Sequence, residues 1–356
     1  VALADQVTTS VGTMAITPMA EGLEEPWALA FLPDGSFLVT ERDGRLTRFA
    51  DDKVQQIDGL PEVLVDGQGG LLDVLVSADF ATSREVWLSF STGADGGGAT
   101  AAGVGRLSED GTRLENFETL FVGNGFPGGR HFGSRLVELP DGRIALTTGD
   151  RGTGPDGMEA QDRQNSAGKI ILLARDGSPG IVQDGWLPGA FSRGHRNIQG
   201  AALDLSGRLL TVEHGAQGGD ELNDPEAGLN YGWPVISFGE NYGGGKIGDG
   251  LTHQAGMEQP LHQWTPSIAP AGMTFLRSNR YGSAWQGQLF VASLKFRYLA
   301  RLELDRSGAV PKVLREHRLL PDLGQRVRDV KEGPDGLLYL LTDERDGQLI
   351  RLLPAR

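Results

Sequence analysis

Four stretches of this 356-residue chain repeat one pattern: FLPDGSFLVTERDGRLTRF at 31–49, ELPDGRIALTTGDRG at 138–152, LDLSGRLLTVEHG at 203–215 and EGPDGLLYLLTDERDGQLIRL at 332–352. Each opens on a tight turn, runs on as a β-rich stretch and closes on a second, charged turn. Self-similarity at a period of tens of residues marks a repeat architecture, so this feature constrains the fold more than any other. The turn glycines Gly35, Gly142, Gly207 and Gly336 are 107, 65 and 129 residues apart, which reads as two, one and two units of roughly sixty residues. A unit of that size is one four-stranded propeller blade with long loops, and six of them fill the chain. The turns missing from the series are expected in DFATSREVWLSF (79–90) and GSAWQGQLFVA (282–292).

The expectation is therefore an all-β, six-bladed β-propeller of four-stranded antiparallel blades, one domain over residues 1–356. Fifty-three glycines and eighteen prolines supply turns for that many short strands, and no stretch sustains helical periodicity. A closed ring also protects most strand edges, which an all-β chain has to manage somehow. Two stacked sandwiches would use the same strands and stand as the alternative architecture. The segment GADGGGATAAGVG (93–105) has no βαβ pattern around it, so it reads as a flexible loop rather than a nucleotide-binding turn.

Charge and composition then exclude several partners. A formal net charge of −14 repels a phosphate backbone, so no nucleic-acid partner is expected. No run of eighteen apolar residues is present, so no membrane span is expected. With no cysteine, disulfides and thiolate metal sites are ruled out. The chain begins Val1-Ala2-Leu3-Ala4-Asp5, which fits an exported chain with its signal peptide removed. A periplasmic or secreted location is the expectation.

Two constellations carry the chemistry. The first is a series of polar and basic groups in glycine-rich loops beside the strands: Gln68, His131, Arg196, Asn197, Lys295, Arg326 and Arg328. They fall about one group per blade, and the loops at one end of a propeller face each other around its axis. That arrangement would make a positive pocket in an acidic protein, suited to a compact polyanion because guanidinium forks bind carboxylates bidentately. The second is EHGAQGGDELNDPEAGLNYGWP (213–234), where Asp220, Glu221 and Asp224 stand among glycines whose carbonyls can turn outward. Hard oxygen donors of this kind suit Ca²⁺, and an acidic turn packed on Trp233 is the plain alternative.

At these residues the chain resembles the soluble PQQ-dependent aldose sugar dehydrogenases of the glucose/sorbosone dehydrogenase family, which are six-bladed propellers. The likeness runs in order from EPWALAFLPDGSFLVTERDGRL (25–46) through GQGGLLDV, RHFGSRL, TTGDRG, GHRNIQG, EHGAQGGDELN, NYGWP and PSIAPAGM to RVRDV. It implies that His131 is a general base and Asp150 the carboxylate that orients it. It implies that Gln68, Arg196, Asn197, Lys295, Arg326 and Arg328 hold the carboxylates and quinone oxygens of PQQ. The carbonyls of Gly215 and Ala216 would bind a Ca²⁺ against the quinone, while Glu221 and the Tyr231 carbonyl would bind a second, structural Ca²⁺. The chain departs from the better-known glucose dehydrogenases at Arg130, where they have aspartate, and at Ala216, where they have proline. The first departure bears on sugar binding, and the aldose branch is the closer likeness.

The activity so implied is oxidation of an aldose at C1 to the lactone, with His131 taking the anomeric proton, Arg196 and Ca²⁺ polarising the quinone, and an external electron acceptor reoxidising PQQ. Two other classes stay open. A Ca²⁺-dependent lactone or ester hydrolase on the same fold would want a metal and a base, but has no use for so many cations around one cavity. A non-catalytic sugar-binding propeller would need neither His131 nor Asp150.

Overall fold

A computed structural model describes residues 6–355, so the first residues, on which the reading of a processed start rests, lie outside the described part. Six antiparallel sheets are present. Blades I to V run Pro26–Phe31 to Lys53–Gln56, Leu71–Val76 to Leu114–Val122, Leu136–Glu138 to Ala190–Arg193, Ile198–Leu203 to His262–Trp264, and Pro270–Phe275 to Lys312–Leu319, each with four strands in sequence order. Blade VI takes Val327–Glu332, Leu338–Thr342 and Gly347–Pro354 from the end of the chain. The N-terminal strand Gly12–Leu23 pairs alongside as its fourth, with Gln6–Thr9 outside it. The innermost strands touch their neighbours all the way round, blade VI meeting blade I, so the six blades close into a propeller.

The repeat found in the sequence is the turn between the first and second strands of a blade. Gly35, Gly142, Gly207 and Gly336 all have φ between 77° and 90°, and each amide donates back across its turn to Leu32, Leu139, Asp204 or Gly333. Only glycine takes that conformation without strain. In three of these turns the aspartate carboxylate (Asp34, Asp141, Asp335) accepts the amide two residues on, at 2.9 to 3.1 Å. The two turns missing from the series sit where expected, one as the short helix Phe80–Ser83 and one around Gly282.

Burial follows the layers. The second strands Phe37–Glu41, Ile144–Thr147, Leu209–Glu213, Leu289–Ser293 and Leu338–Thr342 are buried at every position, because a blade lies on each side of them. The fourth strands Leu114–Val122 and Lys312–Leu319 are exposed or half-buried at every position but Leu114 and Leu319. The core accordingly lies between blades, as where Trp27 and Leu38 of blade I pack with Leu71, Leu88 and Phe90 of blade II. Segment 93–105 differs from the expected loop: it spans the hairpin formed by Glu85–Ala94 and Gly97–Leu107. Its glycines are there for close packing, since a Cβ at Gly103 would lie 2.3 Å from the Glu118 carbonyl oxygen and one at Gly105 2.5 Å from Leu114.

Arg135 fills the middle of the ring. It lies over the Trp27 ring at 4.0 Å, donates to the carbonyls of Gln199 (2.6 Å) and Arg328 (2.9 Å), and stands 3.5 Å from Asp329 and 3.9 Å from Asp73. Those two buried carboxylates also accept amides of the neighbouring blades, Leu136 and Leu29. First strands begin, and second strands end, at the same face of the ring. Every loop that leads into a first strand therefore meets the others there, opposite the repeated turns.

Candidate functional site

His131 stands on that face, in the loop leading to Leu136–Glu138, with its backbone in the left-handed region at φ 57°. The loop is held at three points: the His131 amide donates to Gln68 Oε1 at 3.1 Å, the Gly133 amide to Asn197 Oδ1 at 3.1 Å, and the Arg151 amide to the His131 carbonyl at 3.3 Å. A non-glycine residue at positive φ needs such support. Its ring Nδ1 lies 2.6 Å from Asp150 Oδ1. Asp150, buried just past the strand Ile144–Thr147, also accepts the Gly152 amide (2.8 Å), the Gly154 amide (3.2 Å) and the Trp233 indole N–H (2.8 Å).

These donors fix the charges. Burial alone would raise the Asp150 carboxyl, but the His131 hydrogen bond and charge, then Arg196 and Gly152, bring it below its usual value. An ionised carboxylate cannot donate, so Nδ1 carries the imidazole proton and Nε2 is left as the acceptor. Burial is the largest influence on the imidazole and lowers its pKa; Asp150 opposes that, while Arg196 and Arg130 add to it. A neutral imidazole with a free Nε2 is a general base.

Next to His131 opens a cavity of about 390 Å³ whose wall includes Gln68, Phe132, Gly133, Gln199, His214, Arg42, Arg326 and Arg328, with Trp27 among the apolar residues. Of the expected cofactor-binding residues, Gln68, Arg326 and Arg328 line it. His131, Arg196, Asn197 and Lys295 do not: Arg196 lines a smaller cavity, Asn197 is buried, and Lys295 lies exposed on the turn after Leu294, which does line it. Asp343 is the counter-charge, 2.7 Å from Arg328 and 3.4 Å from Arg326, and Arg42 is paired with Glu25. The Nε atoms of Arg196 and Arg328 are buried without a partner. Unmatched guanidinium donors around a polar cavity fit an anion bearing several carboxylates. His214 lies where this cavity meets a smaller one. Burial, then the charge of Arg196, pushes its pKa down to about 3, so it is neutral and its Nε2 donates to the Pro270 carbonyl at 2.7 Å.

The smaller cavity, about 10 Å³, is lined by Arg196, Glu213, His214, Gly215, Gly219, Glu221 and Trp233. The segment expected to bind metal divides its carboxylates among different tasks. Asp220 accepts the amides of Gly215 (2.7 Å), Ile268 (2.7 Å) and Ala269 (3.1 Å) and the Ser267 hydroxyl, and Asp224 is 2.6 Å from Arg208. Of the three, only Glu221 remains for a cation. Burial, then the charge of Glu213, raises its pKa well above the ordinary value. Asn223 donates to both Glu213 (2.9 Å) and Glu221 (3.0 Å), while its own Oδ1 is buried without a partner. Half-buried Glu221, with Glu213 behind it already held by His195, the Arg196 amide and Asn223, and the orphaned amide oxygen of Asn223 are hard oxygen donors of the kind that suit Ca²⁺. Among the described residues no donor reaches the carbonyls of Gly215 or Tyr231, and Ala216 is buried beside Trp233. No cluster of three His, Cys, Asp or Glu side chains suited to a metal occurs among the described residues, so carbonyl oxygens would supply much of either site.

The sequence reading missed Arg42, Trp27, Gln199, His214 and Asp343, and had Trp233 only as packing under the acidic turn, not as a partner of Asp150. Arg42 and Asp343 follow second strands in the charged closing turns of the repeats, a position from which they could have been found. Trp27 and Gln199 lie inside β-runs and carry no such mark. Residues 23–351 match the family model described as Glucose / Sorbosone dehydrogenase. Over 368 residues the chain is 39% identical to Aldose sugar dehydrogenase YliI of Escherichia coli K12, with 99% of this chain and 96% of that one aligned. In structure it is similar to a glucose dehydrogenase at TM-score 0.89 and 42% identity, covering 96% of this chain and 100% of the other. It is also similar to the PQQ-bound form of an aldose sugar dehydrogenase from Streptomyces coelicolor, at TM-score 0.76 and 28% identity, covering 99% of each.

Proposed function

From its place in the glucose/sorbosone dehydrogenase family, to which this chain belongs, we propose that it oxidises cyclic aldoses at C1 to the lactone with PQQ and Ca²⁺ as resident cofactors. The observation that carries the reading is the His131–Asp150 pair, 2.6 Å apart, beside a cavity walled with guanidinium groups. When bound, PQQ supplies the hydride acceptor and Ca²⁺ a Lewis acid at its quinone oxygen.

The chain's own groups do the rest. His131 Nε2 takes the proton of the anomeric hydroxyl as the C1 hydrogen leaves with its electron pair, so C1 becomes the lactone carbonyl. Asp150 holds the ring in the tautomer that leaves Nε2 free and stabilises the imidazolium that forms. Arg326 and Arg328 would hold cofactor carboxylates, with Lys295 closing over from the rim. Arg196, whose Nε lacks a partner, would stabilise negative charge growing on the acceptor, as a fixed cation does in a site with little water. Gln68 and Asn197 keep the loop around His131 in place. The carbonyls of Gly215 and Ala216 would hold the catalytic Ca²⁺, and Glu221 with the Tyr231 carbonyl a structural one. An external acceptor must take up the two electrons afterwards.

A hydrolase reading has one observation in its favour: Ser192 Oγ, His195 and Glu213 form a hydrogen-bonded series, each step 2.8 Å. Ser192 and His195 are fully buried, so no ester reaches the hydroxyl and the series serves as internal support.

Reconstitution is the test. With PQQ and Ca²⁺ added, glucose should reduce an artificial dye acceptor. Arg326→Ala combined with Arg328→Ala should raise the PQQ concentration for half-maximal activity tenfold or more, since each charge-assisted bond is worth about 1.5–3 kcal/mol. Dye reduction that does not depend on PQQ would overturn the reading.

A further inference from the structure

We propose that Arg130 is a substrate-binding cation that makes aldoses bearing an anionic group, such as hexuronic acids, the preferred substrates of the site; this rests on the aldose-oxidising function above. Arg130 directly precedes the base, and its backbone is fixed. The Arg151 guanidinium donates to the Arg130 carbonyl and also to those of Gly98 (2.9 Å), Phe126 (3.2 Å) and Gly128 (2.8 Å). The Arg130 side chain is exposed. No carboxylate among the described residues lies within ion-pair distance of it, whereas Arg42, Arg326 and Arg328 have Glu25 and Asp343.

Its guanidinium lies against Gly152, where a Cβ would meet Nη2 at 3.1 Å and Nε at 3.2 Å. The Gly152 amide donates to the same Asp150 oxygen that holds His131 Nδ1. The cation therefore lies beside the turn that positions the base, and its charge is felt at the imidazole. Most exposed arginines are solvated surface groups. This one has its backbone fixed directly before the base and no counter-ion among the described residues, in a chain of net charge −14.

The chemistry of the ring selects the ligand. With C1 facing Nε2, the carboxylate carbon of a hexuronic acid, C6, is bonded to C5, which is joined to C1 through the ring oxygen alone. Its charge falls on the same side of the sugar as the reacting carbon, within reach of a long side chain beside the base. A guanidinium fork binds such a carboxylate bidentately.

The protein loaded with PQQ and Ca²⁺ is assayed with glucuronate and galacturonate against glucose and galactose, and with glucose 6-phosphate as the phosphate arm. The acidic sugars should have the higher kcat/KM, and the preference should shrink as salt is raised. Arg130→Gln should lower the acid-to-neutral ratio on the order of ten- to a hundredfold, and Arg130→Lys should restore part of it. Calorimetry with methyl glucuronoside and methyl glucoside, which lack the anomeric hydroxyl, reads binding without turnover. Methyl glucuronoside should bind more tightly, in a way that depends on Arg130. A preference for glucose 6-phosphate over glucuronate would keep the role of Arg130 and make the anion a phosphate. Equal affinities in the parent protein, a salt-independent ratio, or a ratio unmoved by Arg130→Gln would each overturn the proposal. Oxidation of all aldoses regardless of charge would leave the function standing without it. Arg130-dependent binding with no oxidation of any aldose would do the reverse.

Discussion

His131 is the residue on which the chemistry turns, and its neighbours set the pH at which it works. Its pKa lies below the ordinary histidine value, first through burial, so at pH 7 the ring is neutral and competent as a base. Protonation removes the base only as pH falls through that lowered value. The acidic limb of kcat/KM for a neutral aldose should therefore lie below pH of about 6.5, the unperturbed value, and a limb at or above it would contradict this account. His131→Gln should lower turnover by about 10² to 10⁴ while PQQ half-saturation changes little. Dye-linked activity within a few-fold of the parent at saturating PQQ would remove His131 from the role. Asp150 differs from a simple partner, because it also accepts the indole of Trp233 from 83 residues away. One buried carboxylate thus ties the base to the segment proposed to carry the metals.

At the scale of the element, segment 213–234 shows how the same residue types take different tasks. Asp220 uses its oxygens to join its own turn to Ser267, Ile268 and Ala269 in the loop leading into blade V. It holds Gly215 by the amide, and no donor among the described residues reaches the Gly215 carbonyl. Glu213 is taken up by His195, the Arg196 amide and Asn223, whereas half-buried Glu221 accepts, among the described residues, from Asn223 alone. Glu221→Gln removes a charged oxygen from the proposed structural site. In the parent protein, added Ca²⁺ should raise the melting temperature by mass action. In the variant the rise should be smaller and need more Ca²⁺, as read by thermal melting across a Ca²⁺ titration. Identical Ca²⁺ dependence in both proteins would exclude Glu221 as a ligand.

In the whole molecule, closure of the ring depends on contacts between blades. The strand Gly12–Leu23 completes blade VI from the far end of the chain, and the first strands are joined by polar groups as well as apolar ones. Arg135 comes from blade III, Asp73 from blade II and Asp329 from blade VI, so one buried guanidinium serves three blades. Its replacement leaves, among the described residues, Asp73 without an ion-pair partner and Asp329 with Lys331 alone. Arg135→Met should cost about 3–5 kcal/mol of stability, the usual consequence of breaking a buried ion pair from one side, measurable by denaturant unfolding. A loss below about 1 kcal/mol would mean that Lys331, 3.8 Å from Asp329, is a sufficient counter-charge. Arg135 also donates to the Arg328 carbonyl, so the same residue links the centre of the ring to the cavity wall.

The sequence by itself determined the ring. Turn glycines and aspartates act locally, through φ and through hydrogen bonds two residues away, so Gly35, Gly142, Gly207 and Gly336 could be read directly and counted into six units. It also marked His131, Asp150, Gln68, Arg326 and Arg328, because they stand in glycine-rich loops or closing turns beside regular strands. Only the tertiary structure decided what depends on groups distant in the chain. That Trp233 serves Asp150, that Arg42 and Asp343 belong to the cavity, that Asp220 and Asp224 are already engaged while Glu221 has only Asn223, and that glycines 103 and 105 are packing positions in a hairpin all depend on partners that meet only in the folded chain. Local rules fix the turns because their energies are local; the site is assembled across the ring, and no single stretch contains it.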